Sequence, residues 1–277
     1  MKKIIVPVDF SLYSEYALKA AALLAKKHHA ELIALHMLEL SSAILTDSDN
    51  EHQTKSFFYL KLAEKKLEKF LDKEYLDGIA ITPIVKHYKV FSELNEISEK
   101  IGADLIVMGS KGASGMKEIF IGSNTEKVVR YSDVPVLVLK NEPLTVDYQN
   151  IVFASDFSDE SIIAYINASK FLKSFSSALH LLYVNLPGEQ FRNSTEMEKR
   201  VSDFLMKADG NLDNLPSVHY VSDYSIEQGI LNFSNVWGAD LIAVATHGRR
   251  GISHFFEGSV SESISNHSTL PVMTFKI

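Results

Sequence analysis

Residues 102–123 read Gly-Ala-Asp-Leu-Ile-Val-Met-Gly-Ser-Lys-Gly-Ala-Ser-Gly-Met-Lys-Glu-Ile-Phe-Ile-Gly-Ser, and residues 238–259 read Gly-Ala-Asp-Leu-Ile-Ala-Val-Ala-Thr-His-Gly-Arg-Arg-Gly-Ile-Ser-His-Phe-Phe-Glu-Gly-Ser. Both open on Gly-Ala-Asp-Leu-Ile. Both continue with one frame: Gly or Ala, two residues, Gly, nine residues, Gly-Ser. The frame falls on Gly109, Gly112, Gly122 and Ser123, and again on Ala245, Gly248, Gly258 and Ser259. Each copy is followed by an amphipathic stretch and then by Val134-Pro135-Val136-Leu137 or Leu270-Pro271-Val272-Met273. Glycines at the end of an apolar strand and before a helix let the backbone approach a phosphate. The repeat therefore points to both an architecture and a site.

Outward from this frame, the repeat extends over nearly the whole chain. Val6-Pro7-Val8-Asp9-Phe10-Ser11 returns as Val152-Phe153-Ala154-Ser155-Asp156-Phe157-Ser158. Asp9 and Asp156 are 147 residues apart, whereas Gly112 and Gly248, like Pro135 and Pro271, are 136 apart. The halves thus differ by eleven residues, lost between the first strand and the glycine frame, and the long polar stretch 39–56 is the expected place. Surface loops absorb such changes while strands and helices stay in place. A period this long is a domain duplication; solenoid repeats run roughly 20–50 residues.

A chain of 277 residues with 46% hydrophobic and 23% charged residues fits two soluble domains, each long enough to bury a core. The net charge of −7 argues against general binding to nucleic acid or to an anionic membrane surface. The chain has no cysteine, which excludes disulfides, thiol catalysis and cysteine metal sites. The first residues, Met-Lys-Lys-Ile-Ile-Val-Pro-Val-Asp, are too briefly apolar for a signal sequence, and no stretch approaches the length of a membrane span. The expected location is the cytoplasm.

Continuous apolar runs alternate with amphipathic stretches. Strands are expected at 3–8, 32–38, 80–87, 105–108 and 136–139, with Pro83 marking an edge strand. Helices are expected at 13–28 after Ser11 as N-cap, 55–75, 92–101 closed by Gly102, and 125–131. The second half repeats this at 150–154, 158–175, 178–184, 195–208, 218–221, 226–237, 241–245, 260–266 and 272–276. This is an α/β pattern: parallel sheet, helices on both faces. Residues 143–147, within the short stretch 141–149, link a first domain, 1–142, to a second, 148–277. Both 136–139 and 272–276 are apolar strands at a domain edge, and pairing them would remove two exposed edges.

In an open parallel sheet, ligands sit beyond the carboxyl ends of the strands, where the strand order switches. Asp9 ends strand 1, Gly109 and Gly112 end strand 4, and Gly122-Ser123 opens a helix whose N–H groups and dipole favour an anion. Ser123 with Glu126, and Ser259 with Glu262, also fit a capping box. Asp9 is a natural acceptor for ribose hydroxyls, and backbone groups near Met37 or Val184 could read an adenine edge.

On these residues the chain resembles a tandem universal stress protein, two UspA-type domains end to end. Val-Pro-Val-Asp-Phe-Ser, Gly-Ala-Asp-Leu-Ile, the glycine frame and the closing Val-Pro-Val-Leu-Val carry the resemblance. It implies two tandem doubly wound domains, each a five-stranded parallel sheet of order 3-2-1-4-5, paired through the last strand. It also implies ATP, with Mg as a companion ion, because the family's ATP-binding members carry Gly-x2-Gly-x9-Gly-Ser/Thr. The first half matches in full and the second departs at Ala245. The contact residues implied are Asp9, Met37, Gly109, Gly112, Gly122, Ser123 and Asn124, with Asp156, Val184, Gly248, Gly258 and Ser259 as the second set.

Each of these has a structural alternative. A helix cap after the first strand accounts for Asp9 and Asp156 as well as a ligand does. Tight-turn geometry accounts for the glycine frames. Lys111, Lys117, Arg249 and Arg250 read as surface charge, the histidines lack metal spacing, and Trp237 reads as packing. Two functions compete: a nucleotide-binding stress-response regulator with slow or no ATP hydrolysis, and a nucleotide-independent adaptor acting through a protein client. A dedicated ATP-using enzyme lacks support, since there is no Gly-x4-Gly-Lys-Ser/Thr frame. No catalytic residue is assigned.

Overall fold

The computed structural model describes residues 1–38, 49–87, 93–110, 123–246 and 259–277. The first half runs β1 (Lys3–Pro7), α1 (Leu12–His28), β2 (Glu31–Leu38), α2 (Asp49–Leu71), β3 (Ile81–His87), α3 (Glu93–Ile101), β4 (Leu105–Gly109), α4 (Ser123–Tyr131), β5 (Val136–Leu139). The second runs β6 (Asn150–Ala154), α5 (Ile162–Leu172), β7 (Ala178–Asn185), α6 (Ser194–Ala208), β8 (Val218–Ser222), α7 (Ile226–Trp237), β9 (Leu241–Thr246), α8 (Ser259–His267), β10 (Val272–Lys276). Among the described residues, ten strands form one sheet, ordered β3-β2-β1-β4-β5-β10-β9-β6-β7-β8. Each half taken alone is parallel in the order 3-2-1-4-5, so the doubly wound α/β expectation holds.

The halves join strand to strand. β5 and β10 are antiparallel, with Val138 opposite Val272, Leu137 opposite Met273 and Val136 opposite Thr274. Leu137 and Met273 are fully buried, each worth roughly 1.5–3 kcal/mol of burial. The pairing leaves β3 and β8 as the outer edges, and Pro83 sits on β3 as an edge proline. Beyond the strands, Lys276 reaches across to Asp133 at 2.5 Å, and Asn141 donates to the Thr269 carbonyl at 3.2 Å. The connecting stretch is strapped down: Lys27 pairs with Asp147 at 2.7 Å, Lys19 pairs with Glu142, and Val146 and Tyr148 are buried. Tyr148 packs on Phe175, which in turn packs on His28 of α1.

One face of the sheet carries a core shared by both halves, built from β-strand side chains with α1, α2, α5 and α6. The opposite face has two separate cores, one under α3 and α4 and one under α7 and α8. All sites at strand ends are thus held by a continuous sheet rather than by two loosely docked bodies.

Where the halves diverge, the reasons are local. Pro83 pairs with Ala34, and Val218 with Leu181. Halves that are 147 residues apart at β2 and β7 are therefore 135 apart at β3 and β8, which places the lost length between β2 and β3. The single helix expected at 158–175 is instead a 3-10 turn (Asp159–Ser161), α5, and a second 3-10 turn (Lys173–Phe175). The helix expected at 55–75 stops at Leu71, and a 3-10 turn covers Glu74–Leu76.

Candidate functional site

The carboxyl ends of β1 and β4 lie side by side, because Ile4 and Ile5 pair with Leu105 and Ile106. This is the switch point of the first half: β2 flanks β1 on one side and β4 flanks it on the other. Asp9 and Gly109 therefore converge, and α4 begins at Ser123 on the return from β4. Met37 belongs to the same end. The last rung of β1 on β2 is Val8 N–H to the Leu35 carbonyl at 2.9 Å. Backbone groups two residues on point to the same side, so those of Met37 face the switch point past that rung. Gly112 and Gly122 lie outside the described residues, as do the side chains of Ser123 and Asn124.

Asp9 is exposed. Its Oδ1 accepts the Ser11 N–H at 2.9 Å, a turn that Asp favours. The turn holds Phe10 at φ +66°, uncommon for an aromatic side chain and the kind of strain that collects at functional sites. Ser11 then caps α1: its Oγ accepts the Ser14 N–H at 3.2 Å, and Ser14 Oγ donates to the Ser11 carbonyl at 2.9 Å. Desolvation pushes the Asp9 carboxyl up, but hydrogen bonds from Ser11 and Ser14 outweigh it and hold the group below the usual carboxylate range. Asp9 is thus a solvent-facing anion and acceptor at the strand end.

Gly109 has a packing reason of its own. A Cβ there would lie 2.0 Å from the Tyr13 carbonyl oxygen and 2.3 Å from its carbon. The glycine is what lets α1 cross β4. Its neighbour Ser110, which sequence reasoning missed, is 3% exposed, and its buried hydroxyl has no hydrogen-bond partner among the described residues. Such groups are rare and call for an explanation. Thr125 of α4 donates to the Gly109 carbonyl at 3.4 Å.

The second half uses the same residues differently. Asp156 is 3% exposed. Its Oδ1 accepts from Ser158 N–H at 3.0 Å, Ser158 Oγ at 2.9 Å and Ser161 Oγ at 2.7 Å. Arg200 of α6 donates Nε to the Asp156 carbonyl at 2.6 Å and lies 3.4 Å from Oδ2 through Nη2. With its hydroxyl committed to Asp156, Ser158 makes no side-chain cap, and the first turn winds as a 3-10 turn. Phe157, at φ +51°, is buried against Tyr183 and Phe204. Ala245 is fully buried within the shared core, and Thr246, the counterpart of Ser110, donates its hydroxyl to the Phe275 carbonyl at 3.4 Å. Val184 is buried and closely packed: a Cβ on Gly229 of α7 would lie 2.6 Å from its Cγ1. Gly248 and Gly258 lie outside the described residues, as does the side chain of Ser259.

The Universal stress protein family model matches residues 1–140 and again 147–276. The chain belongs to the universal stress protein family. A universal stress protein of Methanocaldococcus jannaschii is 33% identical over 155 residues, 51% of this chain and 96% of that one. A Bacillus subtilis universal stress protein is 32% identical over 154 residues, 50% of this chain and 98% of its own length. The tandem arrangement itself has a solved counterpart: a universal stress protein from Archaeoglobus fulgidus covers 99% of this chain and 98% of its own, with a TM-score of 0.67 at 25% identity. As a universal stress protein with two copies of the fold, the chain is built like that structure from end to end. Among the described residues, no helix is long and apolar enough to cross a membrane, and no group of three His, Asp or Glu side chains is placed to hold a metal ion.

Proposed function

We propose that this universal stress protein is a regulatory binder of adenine nucleotide, ATP with or without Mg, and that the first half, 1–142, is the half that binds. Residues 148–277 form the partner unit and 143–147 the link. The observation that carries the reading is the contrast at the two strand ends: Asp9 is exposed and the buried Ser110 hydroxyl has no partner among the described residues, while Asp156 is buried under three donors and Arg200. An orphaned hydroxyl and an open carboxylate beside a helix N-terminus fit a ligand with both hydroxyls and phosphates.

In this reading Asp9 accepts from the ribose hydroxyls and the Met37 backbone meets the adenine edge. Gly112, Gly122, Ser123 and Asn124 hold the phosphates at the start of α4. The bound nucleotide supplies negative charge that the helix N-terminus and loop N–H groups neutralise. The role assigned is binding that reports nucleotide to a protein client in the cytoplasm, with hydrolysis slow at most.

One observation favours the nucleotide-independent adaptor instead. Gly109 is required by the Tyr13 backbone alone, so that part of the glycine frame would persist without a ligand. The two readings separate by titrating ATP into the parent, Gly122→Val and Ser123→Ala, with thermal unfolding measured alongside. Ser123→Ala loses one hydroxyl bond, about 0.5–1.5 kcal/mol, or roughly two- to twelvefold in affinity. Gly122→Val should abolish binding. A Gly122→Val variant that folds normally and binds ATP like the parent would leave the adaptor reading standing.

A further inference from the structure

We propose that Arg200 is a built-in occupant of the second half's nucleotide position: its guanidinium closes Asp156, and the second half accepts adenine nucleotide only when Arg200 is withdrawn. The inference rests on the reading of the first half as the nucleotide site.

A carboxylate offers about four acceptor positions. On Asp156 three donors crowd Oδ1, and Arg200 lies over Oδ2 while also binding the residue's own carbonyl. Oδ1 is saturated, and Oδ2, the oxygen left to meet a pair of ribose hydroxyls, lies under the guanidinium on a residue 3% exposed. Arg200, not Asp156, lines the adjoining cleft of about 450 Å3 between the 158 turn and α6. The guanidinium stands where a ligand would otherwise meet the carboxylate.

The first half shows what the position looks like without the arginine. α2 and α6 present matching rows to the core, Leu67 and Phe70 against Val201 and Phe204, which puts Lys66 where Arg200 stands. Phe10 meets Phe70 at 5.6 Å and 81°, and Phe157 meets Phe204 at 5.2 Å and 81°. Lys66 does something else with its charge: the ammonium sits over the Phe10 ring, 4.2 Å from its centroid, and Asp9 stays exposed. A lysine gathers its three donors on one nitrogen, while the planar guanidinium spreads Nε and Nη2 into a fixed fork that takes a carbonyl and a carboxylate together. The identity of one residue on the second helix therefore sets which half is open.

The test is an ATP titration by calorimetry on the full chain, comparing the parent with Arg200→Met, Arg200→Lys and Lys66→Arg. The parent should show one binding event per chain. Arg200→Met and Arg200→Lys should each add a second, weaker event, and Lys66→Arg should weaken the first about tenfold or more. Arg200→Lys keeps a cation on α6 and serves if Arg200→Met fails to fold. One event in the parent and in both Arg200 variants overturns the role of Arg200 and leaves the first-half reading intact. Two equal events in the parent overturn the closure. No event in the parent overturns the first-half reading, and amide hydrogen exchange over residues 155–161 without nucleotide then decides on Arg200. Exchange about tenfold faster in Arg200→Met supports closure by Arg200; unchanged exchange overturns it.

Discussion

Asp9 and Asp156 end equivalent strands and open the same motif, Asp-Phe-Ser-x-x-Ser. Each is followed by a phenylalanine at positive φ. In the first half the two serines bond to each other across the helix start as well as supporting Asp9, and α1 starts directly after Ser11 as its N-cap. In the second half the same two hydroxyls serve the carboxylate, and the helix starts late. The motif is shared, so it cannot be what separates the two states. Two differences flank it: Ser155, whose hydroxyl accepts the Phe157 N–H where the first half has Val8, and a cation 44 residues further on, Arg200, set against Lys66 in the first half. Two copies of a fold can thus keep a binding motif while one of them turns it into internal structure.

The sharpest way to break this comparison is at the helix crossing. Gly109→Ala puts a carbon into the Tyr13 backbone, where neither partner is a flexible side chain; urea unfolding should show a loss of about 3 kcal/mol or more. The reverse change, Ala245→Gly, removes a buried methyl and loosens a strand, at about 1–2 kcal/mol. Equal costs would mean that the two helices cross the sheet alike.

The carboxylates come next. Asp156→Ala removes the acceptor of three close donors and the partner of Arg200 and should cost about 2–3 kcal/mol in chemical unfolding. Asp9→Ala loses the Ser11 N–H turn bond and the support of the Ser11 and Ser14 hydroxyls at an exposed site and should cost about 1 kcal/mol, less than Asp156→Ala. A larger penalty at Asp9 would reverse the assignment of structural and functional roles.

A smaller difference lies under α7. His180 and His219 face each other at 3.3 Å beneath Trp237 and Phe233, where the first half has Ile33 and Ile84. Burial lowers both imidazoles below their ordinary value of 6.5, and the charge of His180 adds to the effect on His219. The unfolded chain therefore takes up these protons first. The stability held by the neutral pair is complete above pH 6.5 and is lost as pH falls below it. His180→Ile with His219→Ile should move acid unfolding, followed by the fluorescence of Trp237, to lower pH. An unchanged midpoint would show that the pair does not sense acid.

Much of this was legible in the sequence. The duplication, the edge proline Pro83 and the β5–β10 pairing follow from apolar runs and repeated motifs, while the strand order comes from the family resemblance alone. The deviations were not legible. Ser11 and Ser158 stand in the same Asp-Phe-Ser-x-x-Ser motif, and the Arg200 contact to Asp156 comes from a helix 44 residues away. Ser110 carried no signal either, because an orphaned hydroxyl is visible only once its neighbours are placed. The sequence marks Gly109 as a phosphate glycine, while the Tyr13 backbone that demands it belongs to α1, 96 residues earlier.

The central claim is that only the first strand end is open to a nucleotide, and its most direct test is crosswise. ATP is titrated by calorimetry into Asp9→Ala and Asp156→Ala, each confirmed folded. The account predicts that Asp9→Ala loses the binding event and that Asp156→Ala retains it at the parent's affinity. Retained binding in Asp9→Ala, or loss confined to Asp156→Ala, would contradict it.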